Sequence, residues 1–238
     1  GGLVGGFIVG GIVGGALLGG HHYHVGGFVY DGAKRGYIDR NGNIVIDSKK
    51  DKVWPMTSYG TVIKDSGKLC FVNRKGEIVI QPGDYDAGEM DKFNGLLALK
   101  DNSSDKWGVF DVSTGKQVIS FKYDSISFAG TDRLVVVKDH VKNLINMSTG
   151  KSLYSAQTEA TIEPFNSDTV TWVHTGKDAY TIIDNDGHVL FRDTNNIIED
   201  VKSFNHGFSS VKSKGKWGVM NAKGEWVVQP TYEDVNIL

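Results

Sequence analysis

Three histidines near the N-terminus are the residues whose type and spacing best match metal chemistry. His21, His22 and His24 lie in "HHYH", and neighbouring neutral imidazoles can bind Zn²⁺, Cu²⁺ or Ni²⁺. A closed site needs a fourth ligand, and the surrounding sequence offers none. Their place between an apolar segment and the first strand favours a polar junction over residues 21–25. We therefore predict no bound metal and keep these histidines as weak candidates.

Motifs for catalysis are missing from the sequence. It contains no G-x-S-x-G, no H-E-x-x-H, no phosphate-binding glycine loop and no C-x-x-C. The aspartates of "DRNGN" and "DNDGH" lack the spaced acidic ligands and final glutamate of a calcium loop, so they indicate turns. The single cysteine, Cys70, lies in an apolar run and is predicted to be a small core residue. The missing motifs predict no enzyme and no cofactor, and the net charge of −2 predicts no nucleic-acid partner.

An internal repeat organises most of the chain. Six times, an apolar strand is followed by Asp or Asn, a turn with glycine, and a second alternating strand. The turn glycines are Gly42, Gly76, Gly115, Gly150, Gly187 and Gly224. The polar residues ahead of them are Asp39, Asn73, Asp111, Asn146, Asp184 and Asn221. Because Asp or Asn caps a tight turn and glycine takes a positive φ, this pattern predicts six β-hairpins.

A second set of strands lies between the hairpins. Segments such as "GLLALKDN" and "RLVVVKDH" follow each hairpin except the last, and "GGFVYDGAK" precedes the first. With a short strand near each "YD" pair, one unit has about four strands in about 36 residues, the size of a propeller blade. We predict an all-β fold, a six-bladed β-propeller over residues 26–238, whose N-terminal strand completes the last repeat and closes the ring. A β-solenoid is the competing repeat fold.

Two of the hairpins begin with a Trp-Gly pair. "KWGVFD" (residues 106–111) and "KWGVMN" (residues 216–221) resemble the WG, or KWG, repeat, as does "RGYIDRNG" with Tyr37 in place of the tryptophan. The chemistry of the pair predicts a structural role: Trp107 and Trp217 supply a large apolar area on a blade face, and Gly108 and Gly218 let the neighbouring backbone approach closely. WG repeats occur in many bacterial proteins and imply no single activity, so the resemblance supports the fold more than a function.

The first twenty residues, "GGLVGGFIVGGIVGGALLGG", contain only glycine and apolar side chains. A helix is favoured, and its small-xxx-small spacing would place glycines on two opposed faces where neighbouring backbones can approach. A strand stays open, because glycine and apolar residues also alternate with period two. The predicted assembly residues are Gly1, Gly2, Gly5, Gly6, Phe7, Ile8, Gly10, Gly11, Gly14, Gly15 and Gly19.

An apolar surface of this size normally marks an interface or a membrane. We predict a non-catalytic structural protein, a homo-oligomer that assembles into a fibre or ring through residues 1–20 and displays the propeller outside. The alternative is a membrane-anchored or pore-forming protein, because twenty apolar residues can span a bilayer. The missing basic flank weakens that alternative. An apolar N-terminus without an initial methionine favours an extracellular or cell-surface location, and the propeller's ligand stays open.

Overall fold

The computed structural model describes residues 25–31, 34–175 and 178–238. The predicted assembly segment 1–20 and the histidines of residues 21–24 lie outside the described residues. Within these ranges, short alternating segments separated by turn glycines form 23 strands, and there is no helix. Accordingly, none of the described segments is a helix that could span a membrane. The fold is all-β, and the chain divides into one unit of residues 1–122 and another of residues 123–238.

The first unit contains three sheets, and its boundary falls at the end of the third. Sheet 1 consists of β1 (Val25–Asp31), β2 (Lys34–Asp39) and β3 (Ile44–Lys50). Sheet 2 consists of β4 (Lys52–Val53), β5 (Thr61–Asp65), β6 (Lys68–Val72) and β7 (Ile78–Gly83). Sheet 3 consists of β8 (Tyr85–Asp91), β9 (Leu96–Asp101), β10 (Lys106–Asp111) and β11 (Gln117–Tyr123).

The second unit also contains three sheets, each with four strands. Sheet 4 consists of β12 (Ser125–Gly130), β13 (Arg133–Lys138), β14 (Val141–Asn146) and β15 (Ser152–Gln157). Sheet 5 consists of β16 (Thr161–Ile162), β17 (Val170–Thr175), β18 (Asp178–Asp184) and β19 (Val189–Arg192). Sheet 6 consists of β20 (Asp200–Val201), β21 (Phe208–Ser213), β22 (Lys216–Asn221) and β23 (Trp226–Tyr232).

Every sheet follows the order of the chain, so consecutive strands are hydrogen-bonded neighbours. We call the four strands of a sheet its first to fourth strand, and β1–β3 are the second to fourth strands of sheet 1. Second strands such as β9, "LLALKD", are buried over most of their length, as expected for strands covered on both faces. Fourth strands lie at one edge of their sheets and carry exposed residues such as Ile44 and Ile78.

Apolar clusters fill the space between consecutive sheets within each unit. In the first unit, Tyr37 and Ile46 of sheet 1 pack with Ile63 and Cys70 of sheet 2, so Cys70 is a buried free cysteine. A second cluster joins sheets 2 and 3. In the second unit, equivalent clusters join sheets 4 and 5 and sheets 5 and 6. The core is therefore a series of layers, each shared by two successive repeats.

The six predicted hairpins are confirmed, and each joins the third and fourth strands of one sheet. All six predicted turn glycines have a positive φ. The capping prediction also holds: Asp39 Oδ1 accepts the N–H groups of Asn41 and Asn43 at 2.9 and 2.8 Å. Asn73, Asp184 and Asn221 accept two turn N–H groups in the same way. Residues within each turn therefore determine its conformation.

The structure corrects the predicted role of the N-terminal strand. β1 pairs with β2 in sheet 1, whereas the last hairpin has its own first and second strands, β20 and β21. Each strand of the second set joins the hairpin that follows it, so the N-terminal strand does not complete the last repeat. Within the described residues, the sheet with three strands is the first one, and it lacks a first strand.

Candidate functional site

The Trp-Gly pairs lie at equivalent positions on the third strands of sheets 3 and 6. A Cβ atom at Gly108 would lie 2.5 Å from the Ile119 carbonyl oxygen, and one at Gly218 would lie 2.4 Å from the Val228 carbonyl oxygen. In sheet 6, the pairing shifts register between Trp217 and Val219. The third and fourth strands thus approach too closely at this bulge for a side chain at the glycine.

Both signature tryptophans are half-buried on the face of their own sheet. The Trp107 ring reaches across β9 to β8, where a Cβ atom on Gly88 would lie 2.4 Å from the ring. The Trp217 ring lies beneath the Lys202 ammonium group, 4.9 Å from the ring centroid. The Trp107 ring therefore covers three adjacent strands, the Trp217 ring contacts the loop after β20, and both pack on the surface of their own sheet.

Tyr37 does not occupy the tryptophan position of sheet 1. Tyr37 pairs with Ile46, as Val219 pairs with Val228 in sheet 6. This register aligns Gly36 with the signature glycine and Arg35 with the tryptophan. A Cβ atom at Gly36 would lie 2.3 Å from the Ile46 carbonyl oxygen, which is the same close approach. Tyr37 is fully buried instead, and its hydroxyl group donates to the Trp54 carbonyl oxygen at 2.5 Å.

Sheet 5 replaces the tryptophan with Tyr180 and adds a histidine beside it. The His174 ring stacks on Tyr180 with 5.1 Å between centroids, and its Nε2 lies 3.0 Å from Glu163 Oε1. Within the described residues, His174 Nδ1 is buried without a hydrogen-bond partner. A proton on Nε2 would be donated to the Glu163 carboxylate in this contact.

In the loop that follows the first strand of a sheet, one position makes the same backbone hydrogen bond in three sheets but carries a different side chain in each. The N–H groups of Trp54, Glu163 and Lys202 make equivalent bonds at 3.0, 3.0 and 2.9 Å to the second strands of their sheets. In the first unit, the Lys52 ammonium group lies 4.4 Å from the centroid of the Trp54 ring. In the second unit, Glu163 contacts His174. A fixed backbone with variable side chains makes this loop the candidate functional position.

Lys202 makes the densest polar contacts at this position. Its Nζ lies 2.5 Å from Asp234 Oδ1, 2.9 Å from the Val235 carbonyl oxygen and 2.8 Å from Asn236 Oδ1. Ser210 Oγ donates to the same Val235 carbonyl at 2.8 Å. The second unit therefore binds its own C-terminal segment through side chains of sheet 6 and the loop before β21.

The first unit exposes an aromatic side chain at the equivalent loop of sheet 3. Phe93 is 95% exposed at the tip of the β8–β9 turn. Asp91 Oδ1 accepts the N–H groups of Phe93 and Asn94 at 3.0 and 3.1 Å, which fixes the turn. The Tyr59 hydroxyl group donates to the Phe93 carbonyl oxygen at 3.3 Å. This loop offers a rigid aromatic contact point on the surface of the first unit.

The described residues contain no group of three or more His, Cys, Asp or Glu side chains able to hold a metal ion. Two carboxylate–histidine pairs, Glu163 with His174 and Asp184 with His188, each bring together two potential ligands. His21, His22 and His24 lie outside the described residues, so their prediction stays untested. Burial raises the pKa of the Cys70 thiol above its usual value, which leaves this cysteine a poor nucleophile.

Carboxylates with lowered pKa values serve the turns rather than a reaction centre. The Asn43 side-chain amide, then the backbone N–H groups of Asn43 and Asn41, hold the pKa of Asp39 below its usual value of 3.8. The Ser113 hydroxyl group, 2.6 Å from Asp111 Oδ1, lowers the pKa of Asp111 in the same manner. Their hydrogen bonds stabilise the charged form of each carboxylate.

These turns predict a measurable pH dependence of folding. A lowered folded-state pKa stabilises the fold above the unfolded value near 3.8, and that contribution disappears as the pH falls through the folded value. We expect Asp111→Asn, which keeps the acceptor oxygen, to lose less stability than the unmodified protein between pH 6 and pH 3. Urea unfolding at both pH values measures this difference. Equal losses in the two proteins would contradict the assignment.

Sequence reasoning missed Lys202 and the pair of Glu163 and His174. No motif marks them, because their partners come from separate loops and strands. Aligning the repeats by their second strands would have shown that Trp54, Glu163 and Lys202 share one position. A repeat position occupied by side chains of such different chemistry is the feature of the sequence that could have indicated a functional role.

Comparison with protein families fits this geometry. The model described as "WG containing repeat" matches residues 36–63, 71–103, 107–139 and 217–236. The chain contains WG repeats in these segments. The matches include both Trp-Gly pairs and begin at Gly36 in sheet 1, in agreement with the register that excludes Tyr37 from the tryptophan position. No curated protein matches the sequence.

Solved structures resemble this WG-repeat protein in fold alone. A eukaryotic initiation factor is 13% identical with a TM-score of 0.52, covering 84% of this chain and 61% of its own. Hsv2 of Kluyveromyces lactis, with loop 6CD replaced by a Gly-Ser linker, is 9% identical with a TM-score of 0.47, covering 84% and 74%. BamB of Moraxella catarrhalis is 15% identical with a TM-score of 0.38, covering 83% and 64%. The fold is accordingly a propeller-like series of antiparallel sheets.

Proposed function

We propose that this WG-repeat protein is a non-catalytic structural protein that self-assembles through residues 1–20. The observation that carries the proposal is the composition of this segment, which contains no polar side chain over twenty residues. Such a surface is too large and too apolar to remain exposed on a soluble protein. A helix over this segment would place glycines on two faces and give each copy at least two neighbours, and a two-sided contact that does not close produces a fibre.

The described sheets support a non-catalytic role because their polar residues serve the fold. Asp39 and Asp111 cap turns, and the signature tryptophans pack on their sheets. Lys202 binds the C-terminal segment of its own chain. The propeller then contributes display and binding surface, with the Phe93 loop of the first unit as a contact point.

We also propose that the six sheets are the blades of one closed ring. Five sheets share one order of four strands, and sheet 1 has the second to fourth strands of the same order. Closure removes an edge that would otherwise pair with other chains.

Electron microscopy in detergent-free buffer tests assembly by comparing the intact chain with a variant that lacks residues 1–20. We expect fibres or rings from the intact chain and monomers from the truncated one. A matched control, Phe93→Ser, removes an exposed apolar side chain outside the segment and should assemble normally. Assembly of the truncated chain would refute the proposal. Intact protein that disperses only in detergent and inserts into liposomes would establish the membrane alternative instead.

A further inference from the structure

The C-terminal segment of residues 234–238 lies on sheet 6 in the manner of a bound peptide. It follows β23 and belongs to none of the four strands of sheet 6. Val235 and Ile237 are half-buried, whereas the residues on either side of them are exposed. This alternation has period two, which is the pattern of an extended segment with one covered face. Sheet 6 and the segment both belong to the second unit.

Side chains of the second unit bind the backbone of this segment at alternate carbonyl groups. Ser210 Oγ and Lys202 Nζ donate to the Val235 carbonyl oxygen at 2.8 and 2.9 Å. Asn205 Nδ2 donates to the Ile237 carbonyl oxygen at 3.3 Å. Ser210 is only 1% exposed, so its hydroxyl group is a fixed part of the site. These bonds recognise an extended backbone, which a peptide from another chain can also present.

The side chains of the segment and of the site have complementary charge. Lys202 Nζ lies 2.5 Å from Asp234 Oδ1 and 2.8 Å from Asn236 Oδ1. The hydrogen bond from Lys202 holds the pKa of the Asp234 carboxyl below its usual value of 3.8. Asn236 Nδ2 also donates to Asp234 Oδ2 at 3.3 Å, and Lys216 Nζ lies 3.9 Å from Glu233 Oε1. The site therefore fits an Asp-x-Asn sequence preceded by a further acidic residue.

The segment is attached to sheet 6 through a hinge on the surface. Tyr232, the last residue of β23, is 55% exposed, and the Glu233 side chain is 93% exposed. Because the segment is not a strand of sheet 6, its departure leaves the strand ladder of this sheet intact. A short surface hinge lets such an element leave its own fold and enter an identical site in a second copy. The exchanged segment then makes the same contacts as before.

We infer that sheet 6 is a binding site for the C-terminal segment of a second copy, and that the chain's own segment occupies this site when no exchange takes place. After exchange, the second copy contributes the Asp234 and Asn236 side chains that contact Lys202. A segment on a short linker competes for its own site at a millimolar effective concentration, so exchange is favoured where copies are crowded. This interaction goes beyond the proposed assembly through residues 1–20 and does not depend on it.

Isothermal titration calorimetry of the full-length protein with a synthetic peptide of residues 231–238 tests the site. Asp234→Lys brings two ammonium groups together and should release the chain's own segment from Lys202. We expect the peptide to bind this variant at least about tenfold more tightly than the unmodified protein, whose site is occupied. The matched control, Glu225→Lys, makes the same change of charge on the β22–β23 turn and should bind the peptide as weakly as the unmodified protein. Absence of binding to Asp234→Lys, or equal binding to all three proteins, would overturn the inference.

Mixing two complementary full-length variants tests exchange between copies. Lys202→Asp has an altered site and an unmodified segment, whereas Asp234→Lys has the reverse. Amide hydrogen exchange in residues 234–238 should be fast in each variant alone and about tenfold slower or more in the equimolar mixture, where each segment meets the opposite charge in the other copy. A chain with both substitutions restores the pair within one copy, so its protection should be independent of concentration. Fast exchange in the mixture would overturn the inference. If Lys202→Asp fails to fold, the peptide titration decides, because it uses Asp234→Lys alone.

Discussion

We expect Trp172→Ala to lower the free energy of unfolding by about 3–5 kcal/mol. The Trp172 side chain is 1% exposed. Its ring stacks on Phe204 at 5.5 Å and meets Tyr180 edge-on at 6.0 Å between centroids. The indole N–H donates to Ser209 Oγ at 2.8 Å. Truncation therefore removes a large packed ring and also leaves a cavity between sheets 5 and 6.

Urea unfolding of three variants separates packing from hydrogen bonding at this position. The matched control is Trp226→Ala. Because Trp226 is only half-buried against the same cluster, this substitution should lower the free energy of unfolding less than Trp172→Ala does. Ser209→Ala leaves the buried indole N–H without its acceptor and should lower the free energy of unfolding by about 1–3 kcal/mol. Equal losses for Trp172→Ala and Trp226→Ala would contradict the packing argument.

Ser209 also connects this core to the candidate functional position. Its hydroxyl group accepts from Trp172 and donates to the Lys202 carbonyl oxygen at 2.6 Å. The backbone that carries the Lys202 side chain is thus fixed from the core side, while the side chain reaches the C-terminal segment. Binding of the side chain to this segment therefore costs rotamer entropy of the lysine without the further cost of ordering its backbone.

The hairpins could be predicted from the sequence because their determinants are local. Asp39 and Asn73 bond to N–H groups two and four residues ahead of them, so a short stretch of sequence contains the whole turn. The strands between the hairpins, such as β9 and β13, were equally visible as continuous apolar runs. Their existence needed no knowledge of their partners.

The grouping of strands into sheets could not be predicted so easily. A strand between two hairpins can pair with the one before or the one after it, and alternation alone does not distinguish these choices. The same limit affected Tyr37: its neighbour Gly36 aligns with the signature glycine only once the pairing with β3 is known. The side-chain partners of Lys202 and His174 lie 11 to 34 residues away in sequence. The assembly role of residues 1–20 stays a prediction.

Besides adopting a positive φ, some turn glycines allow the turn to pack closely against the neighbouring sheet. A Cβ atom at Gly76 would lie 2.3 Å from the Val45 carbonyl oxygen, and one at Gly115 would lie 2.1 Å from that of Val79. Within the first unit, each of these turns therefore packs against the fourth strand of the preceding sheet. This contact covers part of an exposed strand edge, which otherwise favours pairing with other chains.

We therefore expect Gly115→Ala to be clearly more destabilising than Gly150→Ala. The two glycines have nearly the same φ, 76° and 72°, so alanine at either position pays about 1–2 kcal/mol for the left-handed conformation. A Cβ atom at Gly150 meets nothing within 4 Å. At Gly115 the clash with the Val79 carbonyl adds about 1–3 kcal/mol of overpacking. Chemical denaturation of both variants measures the difference, and equal losses would show that these glycines serve backbone conformation alone and that the packing of turn on strand contributes nothing to stability.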